Sequence, residues 1–489
     1  MRSWPKIFTW TASRTTHLFG NNVASLMERG GIVSESEIND ADVVVVGGGM
    51  AGLAAALAAA EDGASTLCLE RLSEPGGSLA LSGGYIWTVG SLDDYRRLSP
   101  EGDADIARMI IDELDDGLEW LTEHGVDLTV VPSGMGPGRV FGGRRIRPDP
   151  VSGAITPLVK ALASAGGQLR TQARCLDLRL DTSGSVRGLS YRDRTGDHEV
   201  RCAAVVLATG GFQGDSFLTS TFLGPWADRA YTRSNPGSTG DGLRLARRAG
   251  AAASKGLSAF YGHLLPAPPV RPDPAAFRGL TQFYSEACIV LNMAGRRFVD
   301  ESRGDEICAL RLIREEEATG FIVFDEARHQ AEVMEPYVPD AARTDPLPAV
   351  LAAGGRVLEG QTIEQLGRQL FEEYGVPAAR AAATIHEFNQ AWQRDDPGLL
   401  SVGRRRGLHA CEVPPFYAVP VRPGVTFTEG GVRADRECQA LDDTGHPVQG
   451  LYIAGADVGA VSIEGYVGGL APSLMTGLRA GINAARNGH

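Results

Sequence analysis

Four consecutive valines, Val43-Val44-Val45-Val46, run directly into Gly47-Gly48-Gly49-Met50-Ala51-Gly52 and then into an alanine-rich stretch ending near Gly63. An apolar run without alternation predicts a strand covered on both faces. The alanine-rich stretch, apolar all round, predicts a buried helix entered through a glycine turn. A second apolar run, Thr66-Leu67-Cys68-Leu69, predicts the next strand and delivers Glu70, 18 residues past Gly52. Further along, Ile106, Met109, Ile110, Leu114, Leu118 and Leu121 recur at helical spacing within 104–124. Helices are also expected over 154–165, 361–374 and 378–394, and strands over 170–192 and 198–207, with turn chemistry at Asp181-Thr182-Ser183-Gly184. The strand Ala203 to Leu207 ends in Ala208-Thr209-Gly210-Gly211, and a polar glycine turn, Asn235 to Gly242, leads into a helix through Ala249.

These patterns predict an α/β chain with a central parallel sheet and an inserted second unit. A proline-rich stretch from about 262 to 279 (Pro266, Pro268, Pro269, Pro272, Pro274) reads as a crossing, and glycine-rich sequence returns from Pro414. The expected division is an extension at 1–40, a nucleotide domain at 41–261 with 413–489, and an α+β cap, or substrate domain, at 262–412. Trp4, Phe8, Trp10 and Phe19 predict that the extension packs against something. No internal repeat stands out.

Strand, glycine turn, helix, strand and terminal acid occur in the order that dinucleotide binding requires. Glycines permit a tight turn and close approach of backbone to a pyrophosphate, the helix N-terminus favours its charge, and the acid accepts from ribose hydroxyls. With 489 residues there is chain for more than one domain, and the 43% hydrophobic and 22% charged content is ordinary for a soluble protein. A net charge of −13 argues against a nucleic-acid surface. The seven cysteines are scattered without a C-x-x-C pair, which gives no metal-site spacing and suits reduced thiols in a cytoplasm. Residues 41–60 are apolar enough to imitate a membrane span, yet Asp42 and four glycines interrupt them, so buried core is expected. No export signal is visible in residues 1–40.

Six ordered motifs then make a resemblance specific. They are the nucleotide unit, Gly76-Gly77-Ser78 with Ser82-Gly83-Gly84, Ala208-Thr209-Gly210-Gly211, Thr239-Gly240-Asp241-Gly242, Gly295-Arg296-Arg297-Phe298-Val299-Asp300-Glu301, and Tyr452-Ile453-Ala454-Gly455-Ala456-Asp457. Together they resemble the fumarate reductase/succinate dehydrogenase flavoprotein superfamily. Ser82-Gly83-Gly84-Tyr85-Ile86-Trp87 and Gly138-Arg139-Val140-Phe141-Gly142-Gly143-Arg144-Arg145-Ile146 look most like its 3-ketosteroid dehydrogenase branch. The resemblance implies FAD, held by a glutathione-reductase-like Rossmann domain under a smaller cap. Gly47, Gly49 and Gly52 would hold the pyrophosphate, Glu70 the adenosine ribose and Asp457 the ribityl chain, with Met50, Ala51 and Arg71 also binding the cofactor. Ser78, Ser82, Gly83 and Gly84 would pass beside the flavin, and Gly77, Ala208, Thr209, Gly210 and Asp241 would also bind the cofactor. Gly469, Leu470, Ser473 and Leu474 would bring a helix N-terminus toward the flavin pyrimidine. Gly77 stands where respiratory relatives carry the histidine that links to flavin, which implies noncovalent FAD.

The substrate motifs depart from the reductases. Their His-Thr-x-Gly-Gly run reads Thr426-Phe427-Thr428-Glu429-Gly430-Gly431 here, and their proton-donating arginine falls on Asp305, with Arg303 matching only in a shifted alignment. Tyr466, in Glu464-Gly465-Tyr466-Val467-Gly468-Gly469, matches the tyrosine that grips the substrate ketone in ketosteroid dehydrogenases, or else packs beside the flavin. The second and third tyrosines of that branch are absent. His263 would contact substrate or cap a loop; Arg303 would anchor a carboxylate or pair with Asp300 or Glu306; Tyr85, Tyr261, Tyr284 and Asp305 compete as the base. The expectation is an FAD-dependent desaturase of a cyclic ketone, a 3-ketosteroid or a smaller oxo-ring acid such as an oxocyclohexane carboxylate. The rival is an ene-reductase running in reverse. No heme or iron–sulfur motif occurs, so electrons would leave to oxygen or another acceptor.

Overall fold

The computed structural model describes residues 39–131, 143–268, 270, 273–336 and 342–487. Most of the expected N-terminal extension, and the 138–142 part of the second branch motif, lie outside the described residues.

Val43–Val46 is a central strand of a six-stranded sheet, buried along its whole length. Thr66–Leu69 and then Gln168–Arg170 add to one side, and Ala204–Leu207 and Pro447–Ile453 to the other, all in parallel. Only the edge strand Gln439–Leu441 runs antiparallel. Unbroken apolar runs therefore mark strands covered on both faces, as their pattern predicts. The helix Met50–Glu61 lies buried against this sheet, so the apparent membrane span is core. Among the described residues no helix is long and apolar enough to cross a membrane. A second helix, Leu470–Arg486, packs against Met50–Glu61 at very short range. A Cβ on Gly477 would sit 2.4 Å from the Ala51 carbonyl oxygen, and one on Gly481 2.2 Å from that of Ala55. Only glycine at these two positions lets the two helices approach this closely.

The expected amphipathic helix forms as Ala104–Glu123, capped by the Asp103 carboxylate accepting from the Asp105 and Ile106 N–H groups. The 170–192 and 198–207 region divides between two sheets. Arg174–Leu180, Val186–Arg192 and Asp197–Arg201 form an antiparallel three-stranded ribbon, whereas Ala204–Leu207 belongs to the parallel sheet. Alternation in the ribbon and its absence in Ala204–Leu207 carry that distinction.

A further sheet is built around Phe416–Thr428, a strand of 13 residues. It pairs with Gly320–Asp325, which pairs in turn with Ile289–Asn292. The start of the proline-rich stretch is not a loose connector: Phe260–Pro266 is a strand, antiparallel to the far half of Phe416–Thr428, with His263 opposite Gly424. The expected crossing and return thus lie side by side, hydrogen-bonded to one another. Helices Ile363–Tyr374 and Ala378–Gln393 close a separate core around Leu291, Phe321, Leu366, Ile385 and Phe388.

Candidate active site

A continuous cavity of about 580 Å³ runs from the strand ends of the parallel sheet to the sheet built on Phe416–Thr428. At one end the turn after Val46 forms its floor. Gly47 has φ +114°, and a Cβ there would stand 2.2 Å from the Ala208 carbonyl oxygen. A side chain would therefore fail on conformation and on space. Gly49 is different: a Cβ would meet nothing closer than 3.9 Å, and the residue lines the cavity. It begins the helix Met50–Glu61 without any side-chain cap, so the first-turn N–H groups are left to a ligand. Gly52 stands behind the lining; its Cβ would lie 1.7 Å from the Gly47 carbonyl oxygen, which makes it a packing glycine between helix and turn.

Glu70 reaches the cavity with both oxygens engaged by backbone, Oε2 accepting from Gly48 N–H and Oε1 from Leu72 N–H, each at 2.8 Å. Burial raises its pKa, and those two bonds oppose the rise. Arg71 and Asp241 also line the cavity; Arg71 donates to Thr239 at 2.6 Å, and Arg174 grips Asp241 with two bonds of 3.0 and 3.1 Å.

Asp457 is not among the residues that line the cavity. It is buried behind the wall, accepting from the Thr209 hydroxyl at 2.8 Å and from Gly211 N–H at 3.0 Å, so it fastens one strand end to the next. From its own turn, Gly455 and Ala456 line the cavity instead. Leu474 faces the core, and Gly84 is set back at φ +73° with Ile146 and Pro150 beside it. The other expected cofactor residues, Gly47, Gly49, Met50, Ala51, Glu70, Arg71, Gly77, Ser78, Ser82, Gly83, Ala208, Thr209, Gly210, Asp241, Gly469, Leu470 and Ser473, all line it. Leu470–Arg486 begins at Gly469, again without a side-chain cap, and gives the cavity a second helix N-terminus. Two uncapped helix starts, glycine walls and an inward carboxylate are a donor set that fits a dinucleotide cofactor.

At the far end the strand Phe260–Pro266 presents Tyr261 and His263 to the cavity. The His263 ring lies between two partners, with Asp305 Oδ2 2.6 Å from Nδ1 and the Tyr261 hydroxyl 2.8 Å from Nε2. Asp305 is buried behind the histidine and does not line the cavity. Glu306 lies close by, one ligand atom from each of His263, Asp305 and Glu306 falling within 4.8 Å of the others. The Tyr261 ring stacks on Tyr466, centroids 3.6 Å apart and planes 12° from parallel, and Tyr466 meets Trp87 edge-on at 5.0 Å. Phe427 and Phe283 close the apolar side. Tyr85 lines the cavity beneath Arg145, whose guanidinium lies 5.0 Å from the ring centre.

Two expected residues are elsewhere. Arg303 ends a short turn, Glu301–Arg303, and does not line the cavity; the next helix starts at Asp305 and turns Asp305, not Arg303, toward His263. Tyr284 is buried outside the cavity, donating to Gln282 at 2.6 Å.

Two lining residues carry chemistry that the sequence reading did not assign. Glu429 is only 5% exposed, and burial pushes its carboxyl up to about 7. It accepts from Glu464 N–H at 2.8 Å and so tethers the segment that carries Tyr466. Its signal was a lone acid before Gly430-Gly431 at the end of a long apolar strand. Arg233 lines the cavity too; its only signal was a basic residue before the Asn235 turn.

The chain belongs to the FAD binding domain family, whose model matches residues 42–470. It is an FAD-dependent oxidoreductase. It is 27% identical over 452 residues to the urocanate reductase of Eggerthella lenta, covering 87% of this chain and 71% of that protein. It is also 27% identical over 549 residues to the 4-oxocyclohexanecarboxylate 2-dehydrogenase of Sinomonas cyclohexanicum, covering 91% and 92%. Its fold is that of 3-ketosteroid-Δ4-(5α)-dehydrogenase from Rhodococcus jostii RHA1, with TM-score 0.71, 22% identity, and 92% and 98% of the two chains covered.

Proposed function

We propose that this enzyme introduces a double bond next to the carbonyl of a cyclic ketone. The observation that carries the reading is the hydrogen-bonded line Asp305–His263–Tyr261, which ends against Tyr466 on the cavity wall. Desaturation removes a proton from the carbon beside the carbonyl and a hydride from the next one. Bound FAD supplies the hydride acceptor. Held by the Asp305 carboxylate at Nδ1, His263 keeps Nε2 free to accept the Tyr261 proton while the Tyr261 oxygen takes the substrate's α proton. Asp305 then steadies the imidazolium that results. Tyr466, fixed by stacking on Tyr261 and by Trp87, donates to the ketone oxygen as negative charge develops there. Phe427 and Phe283 keep water from the reacting carbons.

The FAD is noncovalent in this reading, because Gly77 offers no side chain for a link. Residues 262–412 act as the cap, and oxygen or another acceptor removes the electrons. The likeness to urocanate reductase supports a second reading, in which the same line of groups delivers a proton to an unsaturated acid or ketone. Turnover separates the two. A saturated cyclic ketone should bleach the flavin anaerobically and, in air, yield the enone with peroxide. An enzyme bleached only by an external reductant, and reoxidised by an enone or unsaturated acid, would be the reductase.

A further inference from the structure

Arg233 follows the short strand Tyr231–Thr232, and its N–H is fixed to the Val425 carbonyl at 2.8 Å. The side chain enters the cavity at the end that holds Tyr261, His263 and Tyr466. Its guanidinium donates to two neutral hydroxyls, Thr426 Oγ1 at 3.1 Å and Thr281 Oγ1 at 3.4 Å, and its Nε is buried without a partner. Arg233 is half-buried, and the more deeply buried arginines are treated otherwise. Arg297 and Arg404 both bind Glu301, and Arg170 binds Asp193. Among the described residues no carboxylate forms an ion pair with Arg233, although burial disfavours its charge. Arg278, on the same wall, adds charge of the same sign. The acid whose charge reaches Arg233, Asp305, is already committed to His263.

A half-buried cation with its Nε shut away from water, spare donors and no ion-pair partner among the described residues suits a ligand that brings a counter-charge. The uncapped helix start at Met50 suits the cofactor's diphosphate, whereas the Arg233 guanidinium is set among Thr426, Thr281, Tyr261 and Tyr466. We propose that Arg233 anchors a carboxylate on the substrate, so that the cyclic ketone taken by this enzyme is a small ring acid and not a neutral polycycle. The proposal rests on the cyclic-ketone reading of the site. Two parallel N–H···O bonds to a planar carboxylate would fix the ring's rotation as well as its affinity.

The test separates anchoring from turnover. The FAD-loaded enzyme is titrated with cyclohexanecarboxylate and with cyclohexanecarboxamide, neither of which carries a ketone, and perturbation of the flavin absorption reports binding. Wild type should hold the acid at least about tenfold more tightly than the amide. Arg233→Gln should weaken the acid roughly 10- to 100-fold, leave the amide unchanged and keep its full FAD content, and Arg233→Lys should recover part of the loss. Equal binding of acid and amide by wild type, no detectable binding of the acid, equal weakening of both in Arg233→Gln, or loss of FAD from both variants would overturn the anchor. Failure of the desaturase reading looks different: ring ketones would leave the flavin oxidised while acid binding still depended on Arg233.

Discussion

Asp305→Asn tests the proposed proton path at its most buried point. Asp305 and His263 are both nearly inaccessible, and the carboxylate lies 2.6 Å from Nδ1. The substitution keeps size and packing but removes the charge, and the amide can donate to Nδ1, which turns the imidazole toward the tautomer with its proton on Nε2. Nε2 then donates toward Tyr261 and no longer accepts from it. A hydrogen bond to a charged group is worth about 1.5–3 kcal/mol, which at about 1.4 kcal/mol per decade is roughly 10- to 150-fold in rate. The loss should fall on kcat with KM little changed, because the charge matters only as the imidazolium forms. The assay is anaerobic flavin bleaching at saturating ketone, with flavin content measured on the same preparation. Bleaching at the wild-type rate in a fully FAD-loaded Asp305→Asn enzyme would refute the path and leave Asp305 a structural partner of His263.

Tyr466→Phe keeps the ring that stacks on Tyr261, so FAD content should hold while bleaching slows about a hundred- to a thousandfold; an unchanged rate returns Tyr466 to a packing role. Acid or heat should release all FAD, and Glu70→Ala should lower occupancy through loss of a charge-assisted acceptor worth roughly 1.5–3 kcal/mol; flavin that stays on the denatured chain would sink the first expectation. Glu429, raised from an ordinary 4.5 to about 7, favours the fold while protonated, so its contribution is whole below pH 4.5 and lost as pH climbs to about 7. Glu429→Gln should therefore gain stability relative to wild type at pH 8 compared with pH 4.5, by up to about 3 kcal/mol, and a Tm difference that ignores pH would contradict this. If the cap closes on substrate, limited proteolysis near the paired strands Phe260–Pro266 and Phe416–Thr428 should slow with a bound ring acid; identical cleavage with and without it counts against closure.

The nucleotide end of the site was readable along the chain because its parts are neighbours there. Valine strand, glycine turn, alanine helix, second strand and Glu70 all fall between residues 43 and 70, and local periodicity and turn chemistry suffice to order them. Even so, the glycines looked alike in sequence. Only the packing separates Gly49, open to the cavity, from Gly52, pressed against the Gly47 carbonyl. The resemblance implies Asp457 at the ribityl chain, while in the fold its carboxylate accepts from Thr209 and Gly211, 248 and 246 residues earlier in the chain. The substrate end had no such locality. Tyr261 and Tyr466 stack across two separate segments, and Asp305 reaches His263 from a third. Arg233 shows in the sequence only as a basic residue before the Asn235 turn, since what distinguishes it is a missing counter-charge. Periodicity records which face of an element is buried. Which side chains from distant elements share one cavity, and which charges are left unpaired there, is decided when the sheet on Phe416–Thr428 folds over the strand ends of the parallel one.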